Sequence, residues 1–223
     1  MPIGRSAPRL ARIELAARHA VIVLILLAAM QATYAARGLY ADGAYYLWKV
    51  LESQTFFLFP SRGITQLVTQ LPVVAAIRLG VTDVGMLARL QSFGTAGFPM
   101  TVWAVTFVVL LRHQLFWPFV AIFAVTFLNS GFFSVGEYNC ASAFVALSAA
   151  ILLRGHLKPW SCAVLVLSAV MLPLSYETLA FLGPGLAFLA FLRLGPLATN
   201  WTHKRWGPVR SCLQFSCTSR PLP

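Results

Sequence analysis

The first residues in this chain that could do chemistry lie in Tyr40-Ala41-Asp42-Gly43-Ala44-Tyr45-Tyr46, an acid beside a glycine with tyrosines on both sides. A carboxylate so placed either takes a proton from a hydroxyl held within hydrogen-bond reach or merely caps and solvates the chain as it leaves an apolar run. Two further acids, Glu137 and Glu177, stand in the same relation to later apolar runs. Other chemistries have no footing: there is no zinc spacing, phosphate-cradling glycine loop, nucleophile elbow or pair of carboxylates close in sequence.

The elements that must position these acids are membrane helices. Of the 223 residues, 59% are hydrophobic and 10% charged, which leaves too little polar surface for a soluble fold of this size. Apolar runs recur at the length a helix needs to cross a hydrocarbon core about 30 Å thick. The net charge of +11 does not indicate nucleic acid, because the basic residues fall between apolar runs and not along one face. The expected fold class is all-α, a multipass protein of about six transmembrane helices with interfacial helices in its first outer loop.

The basic residues assign the sides. Arg5, Arg9, Arg12 and Arg18 precede the first run and hold the N-terminus in the cytoplasm; a cleaved signal peptide ending near Thr33-Tyr34-Ala35 is the alternative. Between 37 and 90, Ile64, Leu67, Val68, Leu71, Val74 and Ala75 recur at helical spacing, with Thr65, Gln66, Thr69 and Gln70 between them. This amphipathic stretch, 64–80, either crosses the membrane or lies along its surface. Placing it on the surface gives spans near 19–36, 92–111, 115–134, 138–153, 159–175 and 178–192 and gathers most Lys and Arg on the cytoplasmic side, which the positive-inside rule prefers. Asp42, Glu137 and Glu177 then all fall at outer span ends, although only basic residues were used to set the topology. Intramembrane and membrane-edge acids tend to mark function, with simple solvation as the alternative.

Tyr45, Tyr46, Trp48, Phe56, Phe57 and Phe59 suit a helix in the headgroup layer or a platform for an acceptor. Gly183-Pro184-Gly185 is expected to interrupt the sixth span. The four cysteines match no metal or redox spacing. Residues 1–197 form the expected transmembrane domain, and 198–223 a disordered basic cytoplasmic tail in which Asn200-Trp201-Thr202 would be inert as a glycosylation acceptor. That tail reads as appended, the pattern expected of a truncated or frameshifted reading frame.

The layout resembles the N-terminal half of the GT-C-type polytopic glycosyltransferases. The matching pieces are Tyr40-Ala41-Asp42-Gly43, the surface helices of 44–80, Leu79-Gly80-Val81-Thr82-Asp83 and Leu87-Ala88-Arg89-Leu90. The resemblance implies a sugar moved from a polyprenyl-phosphate carrier to an acceptor at the outer face of a bacterial-type inner (plasma) membrane. It implies Asp42 as general base and Glu137 as the second catalytic acid, with Arg62, Lys49, Tyr45 and Glu177 binding substrate. Arg62, then Lys49 or Arg78, would meet the carrier phosphate. It implies no definite cofactor and leaves room for a divalent metal, although Gly43 stands where many members have a second acid. The expected partners are the bilayer and the lipid-linked donor, not nucleic acid. The alternative is a non-enzymatic multipass protein, transporter-like or structural, with Gly183-Pro184-Gly185 lining a path.

Overall fold

The computed structural model describes residues 7–40, 42–59, 63–130, 136–154, 159–172 and 182–194. Among them the chain is all-helical, with no strand. The elements in order are α1 (Ala7–Tyr34), a 3-10 turn (Arg37–Leu39), α2 (Asp42–Ser53), α3 (Gly63–Arg78), α4 (Val84–Ser92), a π-helical turn (Phe93–Gly97), α5 (Phe98–Leu110), α6 (Phe116–Ser130), α7 (Gly136–Arg154), α8 (Pro159–Met171) and α9 (Leu182–Leu194).

α4, the π-turn and α5 run on as one long helix. Leu10–Tyr34 and Val84–Leu110, at 25 and 27 residues, are long and apolar enough to cross a bilayer, a crossing that takes about 20 residues. The other apolar helices are shorter: α8, with 13 residues, reaches only about 20 Å. Each of the six expected spans therefore overlaps a helix among the described residues, and two of those helices have the length of a crossing by themselves.

α1 buries Ile22, Ile25, Ala29 and Ala32, a stripe at helical spacing, yet its far side carries Val23, Leu24, Leu27 and Met30 in the open. The same holds for Val105 and Val108 of α5, Ile122 and Val125 of α6, and Phe188 and Phe191 of α9. Water would make such surfaces costly at about 25 cal/mol per Å² of apolar area, whereas hydrocarbon would not.

Side-chain bonds fix how the helices alternate. Ser92 Oγ donates to the Ala32 carbonyl at 2.9 Å, near the end of α1. At the opposite end Arg18 Nη1 donates to the carbonyls of Leu111 and His113 at 2.8 and 3.1 Å. Arg18 also pairs with Glu14 and lies 5.2 Å from the Phe116 ring. α1 and the long helix are thus antiparallel, and one arginine in the first half of α1 ties it to the turn after the long helix. α6 returns along α5, with Phe107 against Phe116 at 5.4 Å and Trp103 against Phe123 at 5.3 Å. α7 then packs on α5, Phe144 meeting Phe98 at 6.1 Å. Trp103, Phe107, Leu110 and Phe116 lie at the centre of this core, all 1% exposed or less.

A second, smaller core lies at the end where α1 stops. Leu47 and Val50 of α2, Val73, Val74 and Ala76 of α3 and Leu87 of α4 form it. α3 lies antiparallel to the long helix, since Thr69 meets Gly94 while the later Val73, Val74 and Ala76 share a cluster with the earlier Leu87. The face it buries takes in the polar positions of the expected amphipathic stretch, while half of its apolar stripe, Leu67, Leu71 and Ala75, is exposed. Thr65, Gln66, Thr69 and Gln70 are 0–3% exposed, while Leu67 and Leu71 are 42% and 51% exposed. A helix with its amides inside and its leucines outside is arranged for an apolar surrounding. Pro72 lies inside α3 without ending it. Gly183, Pro184 and Gly185 are helical, within α9 as described, and the expected interruption does not appear among the described residues of that span.

Candidate functional site

The junction between α1, α2 and the π-turn positions Asp42. Gly38, in the 3-10 turn, donates its N–H to Ser92 Oγ at 2.8 Å, and its carbonyl lies 3.3 Å from Thr95 Oγ1. The start of α2 rests directly on this turn, because a β-carbon on Gly43 would overlap the Gly38 carbonyl oxygen. A β-carbon on Gly38 would in turn overlap Thr95 Oγ1 and lie 2.8 Å from Ser92 Cα. Only glycine permits these two approaches. The glycine after Asp42 is therefore a packing residue that seats α2 on the end of the bundle.

Asp42 is the first residue of α2 and is exposed, where the helix macrodipole favours negative charge. Tyr45 and Lys49 follow at i+3 and i+7, so the three share one face. The three line one side of α2, with Asp42 and Lys49 two turns, about 10 Å, apart along its axis. Tyr45 packs against Tyr46, Trp48 and Phe57 with ring centroids 5.8 to 6.1 Å apart, and Phe57 continues to Phe59 at 5.1 Å. Lys49 Nζ donates to Glu52 at 2.8 Å and lies 4.3 Å from the Trp48 ring. The hydrogen bond to Glu52 holds its ammonium above the ordinary lysine range. Its charge is thus already met within α2, which weakens it as a phosphate ligand.

Glu137 is the second residue of α7, with its side chain outside the described residues. Arg62 and Glu177 lie outside the described residues altogether. Among the described residues, no three His, Cys, Asp or Glu side chains come together to hold a metal.

The buried polar face of α3 is the feature that sequence reasoning passed over. Thr55–Phe59 runs extended beside α3 and is held by its glutamines. Gln70 Oε1 accepts from Phe57 N–H at 2.9 Å and its Nε2 donates to the Phe57 carbonyl at 2.8 Å, while Gln66 Oε1 accepts from Phe59 N–H. Two amides one helical turn apart thus replace a neighbouring strand. The i, i+4 repeat of Thr-Gln in Thr65-Gln66 and Thr69-Gln70 was the available signal. Gln91 of α4 is fully buried, and neither its Oε1 nor its Nε2 has a partner among the described residues. Replacing an orphaned buried amide with an apolar group of similar volume removes a desolvation cost of about 1–3 kcal/mol. Gln91→Met should therefore raise the thermal midpoint of the detergent-solubilised chain; a lowered midpoint would show that the amide has a partner.

No protein family, no curated protein and no solved structure matches this chain. Its reading therefore rests on its own residues.

Proposed function

We propose that this chain is a multipass membrane protein that transfers a sugar from a polyprenyl-phosphate carrier to a hydroxyl acceptor at the face where Asp42 lies, with Asp42 as general base. The observation behind the membrane part is the apolar character of the exposed faces of α1, α5, α6 and α9 together with the buried polar face of α3. The observation behind the transfer part is the face of α2. It holds an exposed carboxylate, an aromatic platform and a basic residue along one side, seated by the Gly38–Gly43 contact on the end of a bilayer-length helix. An acceptor sugar or aromatic ring stacking on Tyr45 and Trp48 would bring a hydroxyl toward Asp42.

Membranes containing the full chain, supplied with a radiolabelled polyprenyl-phosphate sugar, should release label into an acceptor fraction above the level of membranes lacking it. Asp42→Asn keeps the shape and removes the base, so transfer should fall by about 10²-fold or more with the protein still in the membrane fraction. Transfer by Asp42→Asn equal to that of the unaltered chain would remove Asp42 from the mechanism.

A further inference from the structure

We propose that Arg37 and Arg89 form a binding site for the headgroup phosphate of an anionic membrane lipid at the end of α1. The site rests on the membrane reading of the bundle and is independent of sugar transfer.

Both arginines are exposed, and no carboxylate pairs with either among the described residues. The described acids on the same tier are otherwise placed: Glu52 holds Lys49, Asp83 accepts from Gly85 N–H at 3.0 Å to cap α4, and Asp42 opens α2. Among the described residues Arg37, Arg89 and, further along α3, Arg78 are thus left without a paired carboxylate, and the first two lie at the level where a helix of bilayer length stops. Phosphate headgroups lie at that level in a membrane.

The junction already described brings the backbones at Arg37 and Arg89 near each other, within the reach of two arginine side chains for one phosphate. Arg37 directly precedes Gly38, whose N–H bonds Ser92, and Arg89 lies on α4 one turn, about 5 Å, before Ser92. Arg89 is further held by Tyr34, the last residue of α1, with its Cζ 4.7 Å from the ring centroid. A guanidinium held over a ring by this contact makes no hydrogen bond to it through its in-plane N–H groups, and those are the donors that grip phosphate oxygens in pairs. Arg37 is fixed from the other side. Ala36 before it adopts a left-handed conformation, φ 52°, which a residue with a β-carbon takes only at a cost. That turn ends the path of α1 and brings Arg37 into the 3-10 turn against α4. A rigid base, two unpaired guanidinium groups and an aromatic ring at headgroup depth together fit one phosphate on an acyl-chain lipid, whose tails would lie along the exposed apolar side of α1.

The test uses the full chain purified in a neutral detergent, titrated with phosphatidylglycerol, with phosphatidylcholine and with inorganic phosphate, and read by thermal midpoint and by native mass spectrometry. Phosphatidylglycerol should raise the midpoint and remain bound, with phosphatidylcholine and inorganic phosphate doing so at least about tenfold more weakly. Each of Arg37→Gln and Arg89→Gln should weaken phosphatidylglycerol binding by about tenfold, the scale of one charge-assisted bond. Arg78→Gln, on the same tier, should leave it unchanged. Arg37→Lys with Arg89→Lys, which keeps the charge and loses the paired donors, should bind with intermediate strength. Equal binding by the double Gln variant and the unaltered chain would overturn the site, and so would an equal response to inorganic phosphate, which would identify a free-anion site. Loss of binding in Arg78→Gln as well would overturn it in favour of a diffuse charge effect. Carbonate-resistant sedimentation of the unaltered chain with membranes checks the membrane reading separately. A chain that sediments yet shows no preference for phosphatidylglycerol refutes the site alone.

Discussion

Gly94→Ala is expected to lower stability by about 3 kcal/mol and to detach α3 from the long helix. A β-carbon at Gly94 would overlap the Thr69 carbonyl oxygen, and it would lie 2.8 Å from the carbonyl carbon and 3.2 Å from the Cα of the same residue. These are backbone atoms of a helix, so no rotamer change relieves the overlap and α3 as a whole must move. Movement of α3 pulls Val73, Val74 and Ala76 from Leu47, Val50 and Leu87, opening the smaller core. The measurement is the thermal midpoint of the detergent-solubilised chain, with hydrogen exchange read over residues 55–59 and 63–78. Gly85→Ala is the control, because the nearest atom to its added carbon is the Asp83 carboxylate oxygen at 3.4 Å, an ordinary contact. A Gly94→Ala midpoint no lower than that of Gly85→Ala would show that α3 does not approach the long helix this closely.

The second large effect is expected at Gln70. Its amide both accepts from and donates to the backbone of Phe57, so Gln70→Leu removes two hydrogen bonds while keeping side-chain bulk. Each stranded, partly buried backbone group costs about 1–3 kcal/mol unless the segment frays to reach other partners. Fraying is the expected relief, because Thr55–Phe59 is tied mainly by Gln66 and Gln70 and by ring contacts of Phe57 and Phe59. Amide exchange at Phe57 should accelerate by at least about tenfold, with exchange in the α5–α6–α7 core unaffected. Unchanged exchange at Phe57 would mean that the extended segment is held by something other than the glutamines.

The helical class and the order of helices were legible because apolar runs of bilayer length admit few other structures. The common face of Asp42, Tyr45 and Lys49 was legible too, since residues at i, i+3 and i+7 of any helix align. The pairing of Lys49 with Glu52 follows from the same spacing, yet it subtracts from the phosphate role that the charge of Lys49 had suggested. The inward face of α3 was not legible. Periodicity separates Thr65-Gln66 and Thr69-Gln70 from Leu67 and Leu71, but it does not say which side meets protein. That depends on whether the surrounding medium is water or hydrocarbon, and on an extended segment that needs amide partners. The seating of Gly43 on Gly38 was equally hidden, because neither the five-residue separation nor the glycines themselves reveal a contact through a turn that the left-handed Ala36 initiates. Gly183-Pro184-Gly185 looked like an interruption because glycine and proline lower helix propensity, yet all three are helical in α9.

The π-turn at Phe93–Gly97 gives the long helix two rotational phases. A π-turn accommodates one residue more than an α-helical turn would, and one residue corresponds to about 100° of rotation. The half before it can therefore present Leu87 and Ser92 to the small core and the end of α1, while the half after it presents Trp103 and Phe107 to the aromatic core. Deleting Ala96 would bring the two halves into a single phase and turn one set away from its neighbours. Substitutions that keep the count of residues leave the phase intact.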